Sequence, residues 1–580
     1  MISATHTHSG PAGYLDQVLY QVTSYGIVPG EREALAAGIV SAIVAAHNDL
    51  SASSLEIGVG QLFDANINRS PPSYLANPAE ERALYNGNTD TNMTQLAVRD
   101  AAGNLRGAAS WFAVHGTSMN NTNDLVSGDN KGFASYLWEL AQGSDFVAAF
   151  GQTNAGDVSP NTNGPVCQDT GAPCDGGKES CGGNILLCIA HGPGFTSAGD
   201  LGGDFASTRI IGTKQFETAR EIAASGTGVT TTGPVLFRHA FVDMTDVVLP
   251  DGNHTCKPAM GYSFAAGTTD GVATQIAWQG DNTTNYDNPL IDIARDILHP
   301  PSAELTACQA PKPILLATGE MTFPYDWDPH VLPLQIFVVG RKFVIIGFPS
   351  EITTMSGRRL RKSTLDALIA GGTVDADAHI VIAGLSNHYA SYVTTFEEYG
   401  VQRYEGASTL FGPHTLQAYQ SLFSQMATSF SDPSASLAPG TPPADVKDLS
   451  FITAVVLDTT PIGSSFGAVT IQPPAVAHTG DTVTATFQCS HPRPGPGGPG
   501  SFMTVDVLNG GEWAVFLDDA GWDTKFHWKR EGSSESLCVV TWNVGATVNV
   551  PAGTYRLTYN GVHTTFGFHA SHSGSTDAFQ

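Results

Sequence analysis

The sequence predicts an α/β domain with a mixed sheet, followed by a small antiparallel β-sandwich. Three observations carry that prediction. Helix and strand patterns alternate irregularly up to about residue 430. Ser431 to Asp448, "SDPSASLAPGTPPADVKD", is rich in proline, serine and alanine, has no period, and reads as a linker. Beyond it the chain breaks into short β-rich runs separated by glycine, proline and aspartate, the pattern of a sandwich. At 580 residues two or more domains are the default. The boundaries are therefore drawn at 1–430 for the α/β domain, 431–448 for the linker and 449–580 for the sandwich.

The elements follow in order. The opening "MISATHTHSG" reads as a strand, Ile2-Ser3-Ala4, running into a Gly-Pro turn. His6 and His8 stand two apart, and positions i and i+2 of a strand share a face. Both imidazoles are thus expected to point the same way, as metal ligands or as polar residues at the end of an edge strand. No basic, apolar, cleavable start precedes them, so the sequence is expected to continue upstream of Met1. Helical periodicity marks "REALAAGIVSAIVAAHNDL", "KGFASYLWELAQ" and "TKQFETAREIAAS", and strand patterns mark "GAASWFAVH" and "DFVAAFGQTN". The longest apolar run, "LPLQIFVVGRKFVIIGF" from Leu332 to Phe348, is cut by Gly340-Arg341-Lys342 and reads as two paired strands, not a membrane span. In the tail, "TVTATFQC", "SFMTVDVL", "WAVFLD", "TKFHWKR", "LCVVTWNV" and "GTYRLTY" are the strands, with "HPRPGPGGPG" an exposed loop among them.

Composition excludes some functions. The formal charge of −27, from 54 acidic and 27 basic residues, argues against nucleic-acid binding, which needs a basic footprint. It also disfavours general electrostatic adhesion to an anionic bilayer. Hydrophobic residues at 41% are ample for a buried core. Of the eight cysteines, Cys167, Cys174, Cys181 and Cys188 recur every seven residues in a loop rich in glycine, asparagine and proline. No CxxC pair suggests a zinc knot, and two disulfides are the expected staple of a loop with so little core. Cys256 with Cys308, and Cys489 with Cys538, are read as the next pairs. An oxidising, extracellular compartment follows, and the sequons at Asn92, Asn120, Asn253 and Asn282 are compatible with it.

Four segments gather polar residues beside apolar runs: "THTHSGPAGY", "SWFAVHGTSMNNTN", "AAFGQTNAGDVSPN" and "GFPSEITTMSGRRLR". Each reads as a strand running into a polar loop, where α/β proteins assemble their sites. They present His6 and His8, then His115, then Asp157, Ser159 and Asn161, then Glu351 before a helix starting near Thr354. Zinc favours imidazole nitrogens with a carboxylate and one position left open to water, a need that His6, His115 and Glu351 meet. Blander readings stand beside this one. A lone histidine at a strand end is ordinarily a hydrogen-bonded structural residue, Glu351 near a helix start favours the dipole, and Ser159-Pro160 makes an ordinary turn. No HExxH is present. The residues alone lead as far as a secreted α/β hydrolytic enzyme, with a metal in one reading.

Together the segments resemble the neutral ceramidase family. "ATHTHSGPAGY", "INRSPPSYLANPAEERALY", "FAVHGTSMNN", "GDVSPN", "CKPAMGYSFAAGTTDG", "PKPILLATGE", "TTMSGRRLR" and "YVTTFEEYGVQRYEGASTLFGPHTLQAY" occur in the order that family shows, from residue 4 to about residue 420. The resemblance implies hydrolysis of the amide of ceramide to sphingosine and a fatty acid with one zinc ion per chain, and an immunoglobulin-like C-terminal domain. Matched motif by motif, it implies His6, His115, Glu351 and Tyr392 as zinc ligands, Tyr389 being the less well placed rival of Tyr392. His8, Arg69, Ser159 and Tyr404 are implied around the metal, His8 facing the substrate. The ladder pairing implied is Cys167–Cys181 and Cys174–Cys188. The resemblance also admits a structural Ca2+ or Mg2+ ion, and ceramide drawn from a membrane surface by peripheral contact. Family members carry further sheet strands and a secretion signal before the His-Thr-His motif, and the resemblance implies such a stretch upstream of Met1.

These residue types suit amide hydrolysis. An amide is a poor electrophile, so a metal must polarise its carbonyl or supply hydroxide at neutral pH. Tyr404 is a donor for the anionic oxygen, and His8 can hand a proton to the departing nitrogen. Ser159 is read either as a nucleophile or as the residue that binds the primary hydroxyl of ceramide. Attack by zinc-activated water is favoured here. Two rival classes remain: another secreted zinc metallohydrolase of phosphoesterase type, and a noncatalytic adhesion protein with a decayed hydrolase domain.

Overall fold

In a computed structural model, which describes residues 1–143, 145–196, 203–275, 277–280, 298–446, 448–498 and 500–580, the mixed helix and strand region is built on two sheets. The first has five strands in the order Val147–Gly151, Leu105–Trp111, Asn92–Asp100, Ser53–Gln61 and Val229–Thr231. Only the pair of Leu105–Trp111 with Val147–Gly151 is parallel. The second sheet runs Val235–Asp243, Val331–Val339, Phe343–Gly347, His379–Ala383, and is parallel only at its last pair. Both sheets are therefore mixed. The two strands read within Leu332–Phe348 do pair across Gly340, whose φ of 61° lets the chain turn.

Strand alternation sets the layers. Along Asn92–Asp100, Met93 and Ala97 face a core shared with the helices Asp129–Gln142 and Asp204–Ala224, while Leu96 faces the other sheet. On the far side, Leu332, Leu334 and Ile336 pack with Leu360 and Leu368 of Thr354–Ala370 and with Tyr419 and Phe423 of Thr415–Thr428. Between the sheets Ile57, Phe343 and Val381 make a small apolar cluster, with the Trp111 and Phe343 rings 5.6 Å apart. The result is a helix–sheet–sheet–helix stack.

The helix Glu31–Asn48 forms as its periodicity predicts, yet none of its residues is buried. Val40, Ile43 and Val44 are each more than half exposed. A helix that is apolar on every side has no polar face to turn to water, and among the described residues nothing covers it.

All four disulfides form: Cys167–Cys181, Cys174–Cys188, Cys256–Cys308 and Cys489–Cys538, with no free cysteine. The first two interlock the loop that has little else to order it. The described residues of 431–448 are mostly exposed and hold one short turn, Pro433–Ala435. They do not hang free, because the Phe241 N–H donates to the Pro439 carbonyl at 2.9 Å. Of the sequons, Asn92 and Asn253 are exposed and Asn120 is half-buried; Asn282 lies outside the described residues. No helix among the described residues is long and apolar enough to cross a membrane.

The chain divides into two units, Met1–Phe451 and Ile452–Gln580. The second holds two four-stranded sheets. One orders Val469–Ile471, Thr482–Cys489, Glu535–Asn543 and Thr524–Glu531; the other orders Glu512–Asp518, Met503–Asn509, Tyr555–Thr565 and Phe568–Ser575. All pairs are antiparallel. Val483, Phe487 and Trp542 of one sheet share a core with Val505, Leu557 and Tyr559 of the other. Two strands escaped the sequence reading. Phe568–Ser575 is serine- and histidine-rich, and forms because Phe566 and Gly567, both at positive φ, close a two-residue hairpin turn onto Tyr555–Thr565. Val469–Ile471 is too short to carry a period.

Candidate metal centre and its partners

The metal-ligand candidates lie on segments that end beside one another. Four residues beyond the strand Leu105–Trp111, His115 is fixed twice by one carbonyl. Its N–H donates to Val158 O at 3.1 Å, and its Nδ1 lies 3.0 Å from the same oxygen. Gly116 then lets the opening segment come close: a Cβ there would stand 2.3 Å from the His6 carbonyl oxygen. Thr7 bridges Gly116, and the His8 N–H donates to Gly116 O at 3.0 Å. Glu351 enters from a short strand paired in parallel with Tyr392–Val393, in a register that sets Glu351 beside Tyr392.

The opening segment is not a strand. It makes only isolated bridges, and His6 adopts φ 66°, in the left-handed region. Strand alternation therefore does not bring His6 and His8 together. A local turn does, placing their Nε2 atoms 3.2 Å apart.

His6 Nε2 lies 3.0 Å and His115 Nε2 2.9 Å from the same oxygen, Glu351 Oε2. Neither His115 Nε2 nor Glu351 Oε2 makes an aligned hydrogen bond, although both are buried. The contact of His115 Nδ1 with a carbonyl demands a proton on that nitrogen, which leaves the Nε2 lone pair facing a carboxylate oxygen. Two acceptors at 2.9 Å need a cation between or beside them. Ligand atoms about 2.1 Å from one tetrahedral zinc stand roughly 3.4 Å apart, close to the separations seen. The donor set fits a zinc ion. His6, His8 and His115 converge as a cluster, and His115 is fully buried.

Two tyrosines adjoin Glu351. The Tyr389 hydroxyl donates to Glu351 Oε1 at 2.7 Å, leaving Oε2 to the histidines. Tyr392 also engages Glu351 and accepts from Arg69 Nη2 at 3.1 Å. From there a polar chain leads away. Arg69 Nε donates to Glu405 Oε1 at 3.0 Å, Nη2 to Gly156 O at 2.8 Å, and Nη1 to Asp270 Oδ2 at 3.3 Å. Ser159 Oγ donates to Asp270 Oδ1 at 2.5 Å and accepts the Asn161 N–H at 3.0 Å. The half-buried Tyr404 ring lies 5.8 Å from the Arg69 guanidinium and 5.3 Å from the Tyr392 ring.

Electrostatics follow from this crowding. Burial pushes the Glu351 carboxyl up, but positive charge placed at His6 and His115 overcomes it and holds the group well below the usual range. Burial lowers Arg69, and Tyr392, Glu405 and Asp270 more than offset it, so the guanidinium stays charged. Burial and Glu351 push the Tyr392 and Tyr404 hydroxyls up, keeping them protonated donors. At His8, burial and then His6 and His115 lower the imidazole well below its ordinary value.

The eight residues that the family resemblance implies, His6, His8, Arg69, His115, Ser159, Glu351, Tyr392 and Tyr404, thus lie in one connected region. Asp157 is structural. It accepts the Thr354 N–H at 2.7 Å at the start of the helix Thr354–Ala370, and Asn68 Nδ2 at 2.7 Å. Sequence reading missed Asp270 and Glu405. Asp270 sits in "TTDG", and an Asp-Gly pair announces a hairpin turn. The backbone does form that hairpin, Gly267–Thr268 pairing with Gly271–Val272, but such a turn signal says nothing of a carboxylate turned inward. Glu405 follows Tyr404 in "RYEG" and lies in the first turn of the short helix Tyr404–Ala407, where an acidic residue is common enough to carry no signal of its own.

The chain is similar to known proteins along its whole length. Residues 1–421 match the family model for the N-terminal region of neutral/alkaline non-lysosomal ceramidases, and residues 419–580 match the model for the C-terminal region. It is 44% identical to neutral ceramidase B of Dictyostelium discoideum, over 97% of this chain and 78% of that protein. It is 40% identical to neutral ceramidase 2 of Arabidopsis thaliana, over 100% of this chain and 85% of that one. Two solved structures share its fold. A ceramidase complexed with C2 aligns at a TM-score of 0.85 and 36% identity, covering 100% of this chain and 85% of the other. The neutral ceramidase of Pseudomonas aeruginosa aligns at 0.83 and 35%, with 100% and 84% covered.

Proposed function

Because the chain belongs to the neutral/alkaline non-lysosomal ceramidase family, we propose that it is a zinc-dependent ceramidase. It hydrolyses the N-acyl amide of ceramide to sphingosine and a free fatty acid. The observation that supports the metal is the 2.9 Å approach of a bare His115 Nε2 to Glu351 Oε2. In this reading His6, His115, Glu351 and Tyr392 hold one zinc ion. Bound there, zinc supplies Lewis-acid polarisation of the amide carbonyl and a water of lowered pKa.

The chain's own residues do the rest. His8, neutral near neutral pH because burial, His6 and His115 lower its imidazole, relays to the departing sphingosine nitrogen the proton that the attacking water gives up. Tyr404 donates to the anionic oxygen, and Arg69 fixes the Tyr392 hydroxyl on one side and Asp270 on the other. Ser159 holds the primary hydroxyl of ceramide. Its oxygen already donates once and accepts once, leaving a single lone pair for that contact. A phosphoesterase is disfavoured, because Arg69 is already paired with two carboxylates.

The protein is read as secreted, which its four disulfides support, and as meeting ceramide at a membrane surface. Residues 1–430 are assigned as the catalytic domain, 431–448 as the linker and 449–580 as the immunoglobulin-like domain. Two antiparallel sheets on one core support that last assignment. The Cys489–Cys538 bridge differs from the usual inter-sheet staple, since it joins adjacent strands of one sheet.

The test is direct. Purified protein is expected to release fatty acid from ceramide, to hold about one zinc per chain, and to lose activity to a chelator and regain it with zinc. A zinc-replete protein that leaves ceramide intact would refute the reading.

The two tyrosines separate by their expected effects. Tyr389→Phe removes only an anchor of Glu351, and zinc affinity should fall by ~10–100-fold, with turnover recovered at saturating zinc. Tyr392→Phe removes a ligand, so added zinc should not restore turnover. Chelator competition and a zinc titration of activity decide; full rescue of Tyr392→Phe by zinc would take Tyr392 out of the ligand set.

A further inference from the structure

We propose that Asp270 is the positioning residue of Ser159, a role that rests on the ceramidase reading above. The carboxylate arrives on a separate piece of chain, at the tip of the hairpin Gly267–Thr268/Gly271–Val272. The tip is held from both sides: the Asp270 N–H donates to Thr268 Oγ1 at 3.2 Å, and the Ala190 N–H donates to the Thr269 carbonyl at 2.8 Å. The Asp270 side chain is 1% exposed. Its Oδ1 receives both Ser159 Oγ–H at 2.5 Å and Asn161 Nδ2 at 2.9 Å, while Oδ2 receives Arg69 Nη1 at 3.3 Å.

A plainer account would make Asp270 a counter-charge for the buried Arg69. The distances favour the serine. Arg69 already has Glu405 at 3.0 Å, closer than Asp270, and the shortest contact Asp270 makes is with Ser159. A seryl hydroxyl rotates freely unless its proton has a fixed acceptor. With the proton on Asp270 and the Asn161 N–H on one lone pair, the remaining lone pair points in one direction only. Asp270 thereby converts a rotor into an oriented acceptor for the substrate's primary hydroxyl, while itself touching no substrate.

The experiment compares Asp270→Asn, nearly isosteric, with wild type on ceramide and on an amide lacking the primary hydroxyl, in the wild-type and Ser159→Ala backgrounds. Expected are a ~10–100-fold loss of kcat/KM on ceramide, little change on the truncated amide, and wild-type zinc content and thermal midpoint. In the Ser159→Ala background the same change should cost less than ~3-fold, because residues that act through one another are not additive. Asp270→Glu, which keeps the charge opposite Arg69 but displaces the carboxylate, should lose turnover on ceramide as well. Equal losses in both backgrounds, or full turnover by either folded variant, would overturn the assignment. Failure of both variants to fold would make Asp270 a structural residue and overturn it too. A wild-type protein inactive on ceramide would remove the reading beneath it, and the assignment with it.

Discussion

His115→Ala is expected to leave the protein without zinc and without ceramide hydrolysis. The loss should exceed ~100-fold, the upper range for disturbing a residue that merely supports a ligand. The reasoning is geometric. His115 has no exposed surface, its Nδ1 is committed to the Val158 carbonyl, and its Nε2 faces the Glu351 carboxylate at 2.9 Å. Alanine removes the donor and leaves no nearby group to replace it, since His8 already stands against His6. Metal analysis of the purified variant, with circular dichroism as a check on folding, reads the result. Zinc-stripped wild type is the matching control and should show the same residual activity. Full zinc occupancy in a folded variant would remove His115 from the site.

Ser159→Ala distinguishes two chemistries. Were the hydroxyl a nucleophile, the acyl group would pass through an ester on this side chain, and the variant would fail on every amide. If Ser159 holds the primary hydroxyl of ceramide, the variant loses much less on an amide that lacks that hydroxyl, since the contact was never available to it. The second outcome is expected: a loss of ~100-fold on ceramide, as for a buried polar group left without its partner, and under ~5-fold on the truncated amide. Rapid quenching of the wild type should yield no acylated peptide containing Ser159. Trapping one would overturn the choice of mechanism and leave the amidase assignment intact.

The parts legible in the sequence are those whose cause is local. The hairpin about Gly340, the helix from Thr354 and six tail strands each follow from periodicity or from a turn residue within a few positions. For the candidate site, the eight residues that matched family motifs lie in one connected region, and their roles are those proposed above. What stayed hidden depends on distant chain. His6 turns left-handed because Gly116, over a hundred residues away, admits its backbone at close range. Asp270 faces inward because its hairpin is pinned by the 190 region. Glu31–Asn48 shows the opposite failure: its pattern specified a helix, but a pattern apolar all round cannot say which face is to be covered.

Asp157, Val158 and Ser159 join three otherwise separate parts of the unit. The carboxylate of Asp157 meets the Thr354 N–H, the Val158 carbonyl carries His115, and the Ser159 hydroxyl meets Asp270, while Gly156 and Asp157 hold Arg69 through their carbonyls. For an engineer this strip is a poor place to introduce diversity. A backbone shift of a few tenths of an ångström there would disturb His115 and Ser159 together, so under the proposed roles substrate preference cannot be varied at that point without disturbing turnover. Libraries aimed at new acyl or head-group selectivity belong instead on residues such as Phe264, whose ring stacks on Tyr404 at 6.3 Å and whose replacement leaves the strip's own hydrogen bonds in place.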